Sequence, residues 1–195
     1  MPQTPRLILA SSSPYRKALL QRFGLAFDAV SPAIDEKGLD NESPQQQVLR
    51  LAQTKARKIA ASSPDALIIG SDQIALLGNE ILTKPGNKTN AIHQLQRMRN
   101  RMIQFKTGLC VLNSRTNAVQ TACIDYDVYF RDLTDAEIER YLDAEQPYDC
   151  AGSFKSERLG ISLLTKMSGD DPTALVGLPL IRLAEMLRKE GIIIP

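Results

Sequence analysis

The chain predicts an α/β fold, a mixed and twisted sheet covered by helices. Three observations carry that reading. Strand and helix patterns alternate through the first half. Ala66–Gly70 is a short continuous apolar run, as expected of a strand covered on both faces. Two long strand patterns, 102–113 and 118–130, face each other across the polar turn Ser114-Arg115-Thr116-Asn117.

The elements follow in order. Residues 6–10 form a strand that runs into Ser11-Ser12-Ser13-Pro14. Ser13 is an N-cap, and Pro14 takes the first helical position, where its missing N–H is not needed. That helix is expected to end at Gly24. A second strand over 27–30 precedes a polar loop, and Ser43-Pro44 repeats the start signal for a helix over 44–61. Val48, Leu51, Ala52, Lys55, Ala56 and Ile59 share one face of it by the 3–4 spacing. The buried strand is expected to end at Gly70, with Ser71-Asp72-Gln73 just past it. Strands 74–77 and 80–82 then flank Gly78-Asn79, a hairpin turn. A helix covers 89–99, and Thr134 with Glu137 makes a capping box for a helix over 135–144. Residues 159–164 read as a last strand. The closing helix, 173–189, is interrupted near Gly177-Leu178-Pro179. In such a sheet the active cleft is expected off the carboxyl ends of the strands.

Composition narrows the function classes. The chain has 195 residues with 43% apolar and 24% charged content, a globular balance. Its net charge of +2 creates no global field for nucleic acid or a membrane, so any anion affinity must be local. No apolar run approaches bilayer length. Met1–Arg6 lacks the regions of a secretion signal. Cys110, Cys123 and Cys150 have no Cys-x-x-Cys spacing and read as reduced thiols, so a cytoplasmic protein is expected. His93 is the only histidine, which leaves little for a His-based zinc site or a Ser-His-Asp triad.

The chemistry-bearing residues gather at loops. The serine loop offers backbone N–H groups and hydroxyls beside Arg16 at the positive end of a helix dipole, a site suited to phosphate. Asp35-Glu36 follows the second strand, Asp72 with Gln73 follows the buried strand, and Lys84 precedes a proline. Lys55 sits on an otherwise apolar helix face, where it either snorkels to water or points into a cleft. Ser153-Phe154-Lys155-Ser156-Glu157 forms one more polar cluster. Cations on separate elements, joined by two carboxylates, suit a polyphosphate. The cations neutralise phosphate oxygens, and the carboxylates hold a hard divalent ion or orient a water. Read singly, Asp35-Glu36 is a solvated loop, Lys84-Pro85 a turn, and Asp72 a cap.

Taken together, LILASSSPYRKALL, DE at 35–36, LAQTKA at 51–56, IIGSDQ at 68–73, KP at 84–85, AGSFKSE at 151–157 and LVGLPL at 175–180 resemble the Maf-like nucleotide pyrophosphatases. The match keeps motif order over nearly the whole chain. Gln73 with the SFKSE loop resembles the branch that prefers 7-methyl-GTP. The resemblance implies one domain over residues 1–195, two lobes around a central cleft in a Maf/ITPase-like fold. It implies hydrolysis of a nucleoside triphosphate between the α and β phosphates, with magnesium or manganese, clearing modified nucleotides. Asp72 falls on the presumed proton acceptor and Glu36 on the metal position. Ser13, Arg16, Lys55, Lys84 and Lys155 fall among substrate-binding positions, and Tyr15, Gln73 and Glu157 on positions linked to substrate choice. A small-molecule nucleotide is then the partner, without nucleic acid or membrane, and a homodimer is the default assembly. Two other readings stand beside it: a pyrophosphatase for dTTP, UTP or another non-canonical nucleotide, and a nucleotide-binding regulator of septum formation.

The proposed specificity has a physical basis. N7-methylguanine is cationic, so the Tyr15 ring could stack on it with cation–π attraction of roughly 0.5–2 kcal/mol. The Glu157 carboxylate could accept from its N1–H and exocyclic amine. Gln73 could read a base edge or orient a phosphate. Two places depart from the family pattern: Arg158 stands where this branch commonly has glycine, and Met98-Arg99-Asn100-Arg101 replaces a Ser-Gly-containing turn.

Overall fold

Strand β1 (Arg6–Leu9) leads into a loop closed by the Ser13 cap, whose Oγ accepts the Arg16 backbone N–H at 3.3 Å. Helix α1 (Pro14–Gln21) starts there, with proline in its first turn. The computed structural model describes residues 5–194, so the first four residues of the Met1–Arg6 segment lie outside the described residues. The remaining elements are β2 (Asp28–Ala29), α2 (Pro44–Ala60), β3 (Ala66–Leu77), β4 (Glu80–Leu82), α3 (Lys88–Met98), β5 (Met102–Asn113), β6 (Val119–Phe130), α4 (Asp135–Glu145), β7 (Leu164–Ser168) and α5 (Leu180–Lys189).

Among the described residues the strands form a seven-stranded sheet in the order β2-β1-β3-β5-β6-β7, with β4 paired to β3. The sheet is mixed, as the sequence predicts. β1 runs parallel to β2 and to β3, while β3–β4 and β6–β7 are antiparallel. Leu9 at the end of β1 pairs with Ile69, so β3 continues well beyond its neighbour.

The chain divides into two compact units. The first comprises the described residues up to Gln73, Thr107–Ile124, and those from Gly177 onward. Its core joins Ile8, Ala52, Ala56, Ile59, Ile68, Cys110 and Leu112. The second comprises Ile74–Lys106 and Asp125–Val176. There Leu95, Met98, Ile103, Phe105, Val128, Ile138 and Leu142 are buried together, and the Phe154 ring meets Phe130 edge-on at 5.4 Å.

In the first unit α2 lies unusually close to the sheet, and two glycines permit it. A Cβ on Gly70 would stand 2.0 Å from the Ala52 carbonyl oxygen, and one on Gly108 2.2 Å from that of Val48. Helix backbone therefore rests on strand backbone at both positions. The apolar stripe of α2 is buried as its spacing predicts, Lys55 included.

Three expectations need correction. The strand expected to stop at Gly70 runs unbroken to Leu77, so Ser71-Asp72-Gln73 lies inside β3 rather than past it. Polar residues can occupy a buried strand because each of these three finds a hydrogen-bond partner, as detailed below. Residues expected as a strand over 159–164 instead form a 3₁₀ turn over Leu159–Leu163, and β7 starts at Leu164. The Leu159 N–H is held by the Glu145 carboxylate at 3.1 Å rather than by a strand neighbour. The closing helix is α5 alone, preceded by a separate 3₁₀ turn over Pro172–Val176. The unusual turn at Met98–Arg101 works because Asn100 adopts φ 52°, a left-handed conformation that asparagine tolerates in place of glycine.

Gly70→Ala is expected to lower the unfolding free energy by about 3 kcal/mol, the upper end for overpacking, because backbone rather than a movable side chain meets the new methyl. Urea denaturation followed by circular dichroism measures it. An unchanged midpoint would mean that α2 can move away from β3.

Candidate active site

Lys55 is the centre of the site in the first unit. Helix α2 brings it over the extended part of β3, and only 4% of it is exposed. It does not snorkel to water. Its Nζ donates to Asp72 Oδ1 at 2.7 Å and lies 2.8 Å from Glu36 Oε1. Asp72 is 6% exposed, whereas more than half of the Glu36 side chain is exposed. One ammonium thus gathers a carboxylate from β3 and another from the loop after β2. Burial of the cation is tolerable only because both anions are present.

Arg16, in the first turn of α1, belongs to the same cluster. Burial lowers the pKa of its guanidinium, and the negative charges of Asp72 and Glu36 oppose that shift. The group stays charged, as arginine does in proteins. Its Nε donates to the Gly177 carbonyl at 2.9 Å. Anchoring at Nε leaves the Nη1/Nη2 fork, the geometry suited to phosphate oxygens.

The two polar neighbours of Asp72 are held as well. The Ser71 hydroxyl lies 2.9 Å from the Gly108 carbonyl and 2.8 Å from that of Gly177, fully buried. The Gln73 amide donates to Thr107 Oγ1 at 2.9 Å. Asp72 is therefore fixed from both sides along β3. It still lies at the carboxyl end of β1, because β3 extends beyond that strand.

Of the other residues singled out in the sequence, Ser13 is engaged in capping α1, and its own N–H is received by Ser11 Oγ at 3.1 Å. Tyr15 is half-buried on the first turn of α1. The Asp35 carboxylate accepts the Lys37 N–H at 3.1 Å.

Lys84, Lys155 and Glu157 belong to the second unit. Lys84 is exposed, in a loop where the Pro85 carbonyl accepts from Asn90 and the Tyr148 carbonyl from the Gly86 N–H. Lys155 Nζ donates to the Glu145 carbonyl at 3.0 Å, and its backbone N–H to the Tyr141 hydroxyl at 3.0 Å. Arg158, the departure from glycine, lies 3.2 Å from the Glu145 carboxylate, so the added cation is tied to the end of α4. Exposed Glu157 receives the Ser156 hydroxyl at 3.4 Å.

Sequence reasoning missed Ser71, Thr107 and Gly177 as parts of this arrangement. Gly177 had a visible signal, a glycine inside an apolar motif, but it reads equally as a helix interruption.

Comparison with known proteins identifies the family. The family model described as "Maf-like protein" matches residues 6–190, and the chain belongs to that family. Among its relatives, a protein of Aromatoleum aromaticum named 7-methyl-GTP pyrophosphatase is 55% identical over 97% of this chain and 98% of its own length. One of the same name from Nitrosococcus oceani is 52% identical, covering 97% of this chain and 96% of the relative. Another from Pseudomonas aeruginosa is 50% identical over 98% of this chain and all of the relative.

Replacing Lys55 by methionine keeps the volume and removes the charge, leaving Asp72 buried without its cation. The expected loss of stability is about 3–5 kcal/mol at neutral pH, read from the urea midpoint. A variant as stable as the parent would show that the carboxylates do not depend on the ammonium.

Proposed function

We propose that the chain is a nucleoside triphosphate pyrophosphatase acting on 7-methyl-GTP. It would hydrolyse the bond between the α and β phosphates to the nucleoside monophosphate and pyrophosphate. The names borne by relatives of 50–55% identity over nearly the full length support the substrate. The observation that carries the chemistry is the Lys55 ammonium holding Asp72 and Glu36 together within 2.8 Å of its Nζ, with Arg16 beside them.

The parts have distinct tasks. Arg16 presents its guanidinium fork to phosphate oxygens. Lys55 holds the Asp72 carboxylate by its Oδ1, which fixes the group that would accept the proton. With Oδ1 bonded to Lys55, the other carboxylate oxygen, Oδ2, would take a proton from water as the water oxygen attacks phosphorus. Pyrophosphate leaves with the electrons of the broken anhydride bond. Most of the barrier reduction in such a transfer comes from positioning and charge.

The donor set also fits a divalent cation. The described residues contain no group of three or more His, Cys, Asp or Glu that could bind a metal on its own. Magnesium or manganese would therefore be held by one or two carboxylates and completed by substrate phosphates. Glu36, the exposed member, would hold it, with Asp72 adjacent. When bound, the ion supplies neutralising charge at the phosphate oxygens. We take the whole chain as one domain working on a small-molecule nucleotide in the cytoplasm. Among the described residues no helix is long and apolar enough to cross a membrane.

The test is pyrophosphate release across a panel of nucleotides, 7-methyl-GTP, GTP, dTTP and UTP among them. The expected preference is for 7-methyl-GTP. If dTTP or UTP is hydrolysed best, the substrate assignment fails. If triphosphates bind without pyrophosphate release, the enzyme reading fails. Asp72→Asn is expected to lower kcat by about 10²–10⁴-fold with nucleotide affinity largely retained. Near-full turnover in that variant would remove Asp72 as proton acceptor. Excess EDTA is expected to stop turnover and added magnesium or manganese to restore it. Undiminished turnover in EDTA would rule out the metal role of Glu36.

A further inference from the structure

Arg16 is held by a backbone carbonyl far away in sequence, and that carbonyl is itself held. The Gly177 oxygen receives Arg16 Nε at 2.9 Å and stands 2.8 Å from the Ser71 hydroxyl. Ser71 is entirely buried and lies next to Asp72 in β3. The same hydroxyl is 2.9 Å from the carbonyl of Gly108, one of the two glycines on which α2 rests. Ser71 therefore connects the sheet that carries Asp72 to the segment that carries the Arg16 anchor.

Gly177 is also constrained in shape. Its φ is 104°, a conformation that other residues rarely adopt, and a Cβ there would lie 3.2 Å from Arg16 Nε. A side chain at 177 would press on the guanidinium as well as strain the backbone. The residue thus supplies an oxygen where arginine needs an acceptor and supplies no atom where arginine needs room.

We propose that Ser71 and Gly177 are positioning residues for Arg16: the Gly177 carbonyl, fixed by the Ser71 hydroxyl, aims the guanidinium fork at the substrate's phosphate oxygens in register with Asp72. Neither residue touches substrate. A guanidinium anchored at Nε and free to bind with its fork loses less conformational freedom when phosphate arrives, which is the benefit of preorganisation. Misaimed donors forfeit catalysis as well as affinity, because charge stabilisation depends on their placement before the reaction begins.

This inference rests on the reading that Arg16 binds the phosphates of a triphosphate, so its test separates phosphate recognition from turnover. The variants are Ser71→Ala, Arg16→Ala and the double variant. Each is assayed for kcat and KM with 7-methyl-GTP, for binding of inorganic triphosphate by calorimetry, and for inhibition by 7-methylguanosine, which has no phosphate. Ser71→Ala is expected to weaken inorganic triphosphate by about three- to tenfold, the size of one lost hydrogen bond. It is expected to leave inhibition by 7-methylguanosine unchanged. The double variant is expected to bind inorganic triphosphate no worse than Arg16→Ala, because both substitutions remove one and the same function.

A loss in the double variant equal to the product of the single losses would overturn the proposal, since Ser71 would then act independently of Arg16. So would an equal weakening of 7-methylguanosine, the mark of a purely structural role. Should Ser71→Ala fail to fold, Ser71→Cys keeps the volume with a weaker donor and is read by the same criteria. Failure of the functional reading looks different: the parent protein would bind inorganic triphosphate and depend on Arg16 and Ser71 for it, yet hydrolyse no nucleotide.

Discussion

The buried ammonium of Lys55 is the constraint on which the first unit's site depends. A cation that is 4% exposed must be surrounded by anions, and here they come from a loop and a strand separated in sequence. That requirement joins three elements, α2, β3 and the loop after β2, at one atom. It also demands that α2 lie close enough for a lysine side chain to reach the sheet. Gly70 and Gly108 meet that demand by letting strand backbone approach helix carbonyls. Packing and electrostatics are thus one arrangement: the glycines set the distance, and the lysine uses it.

The location of Asp72 inside a strand has a consequence for chemistry. A carboxylate on a loop would have to be ordered when substrate binds. In β3 its backbone is already fixed, Ser71 and Gln73 on either side are hydrogen-bonded, and its Oδ1 is bonded to Lys55. A polar triplet within an otherwise apolar strand would be destabilising if any member lacked a partner. Here each member has one, and the same contacts that make burial tolerable also hold the Asp72 carboxylate in place.

Much of the fold was legible because local rules and tertiary structure agree. The caps at Ser13, Ser43 and Thr134 are all present, and the stripe on α2 is buried as its spacing predicts. What was not legible depended on partners distant in sequence. Nothing near Gly70 says that a strand can continue through Ser-Asp-Gln, because the groups that satisfy those side chains belong to residues 55, 107, 108 and 177. The segment 159–163 has the apolar content of a strand, yet contacts to Glu145 draw it into a tight turn. For the site, residue types could be picked out from sequence, but convergence could not. Lys55, Asp72, Glu36 and Arg16 are now seen to meet. Lys84, Lys155 and Glu157 lie in the other unit.

Charge balance within the cluster bears on how the proposed function would work. Arg16 and Lys55 are positive, Asp72 and Glu36 negative, so the four formal charges cancel. A neutral cluster is inexpensive to fold but exerts little net pull on a triphosphate, which carries several negative charges. Lys55 cannot devote its full charge to phosphate while it holds two carboxylates. Of the two cations, only Arg16 is anchored through a neutral carbonyl rather than through an anion, which leaves its fork for the ligand. On the proposed function, further positive charge would arrive with the substrate. In that proposal a divalent cation carried on the phosphates would meet two adjacent carboxylates, one of them exposed, and both already paired with Lys55.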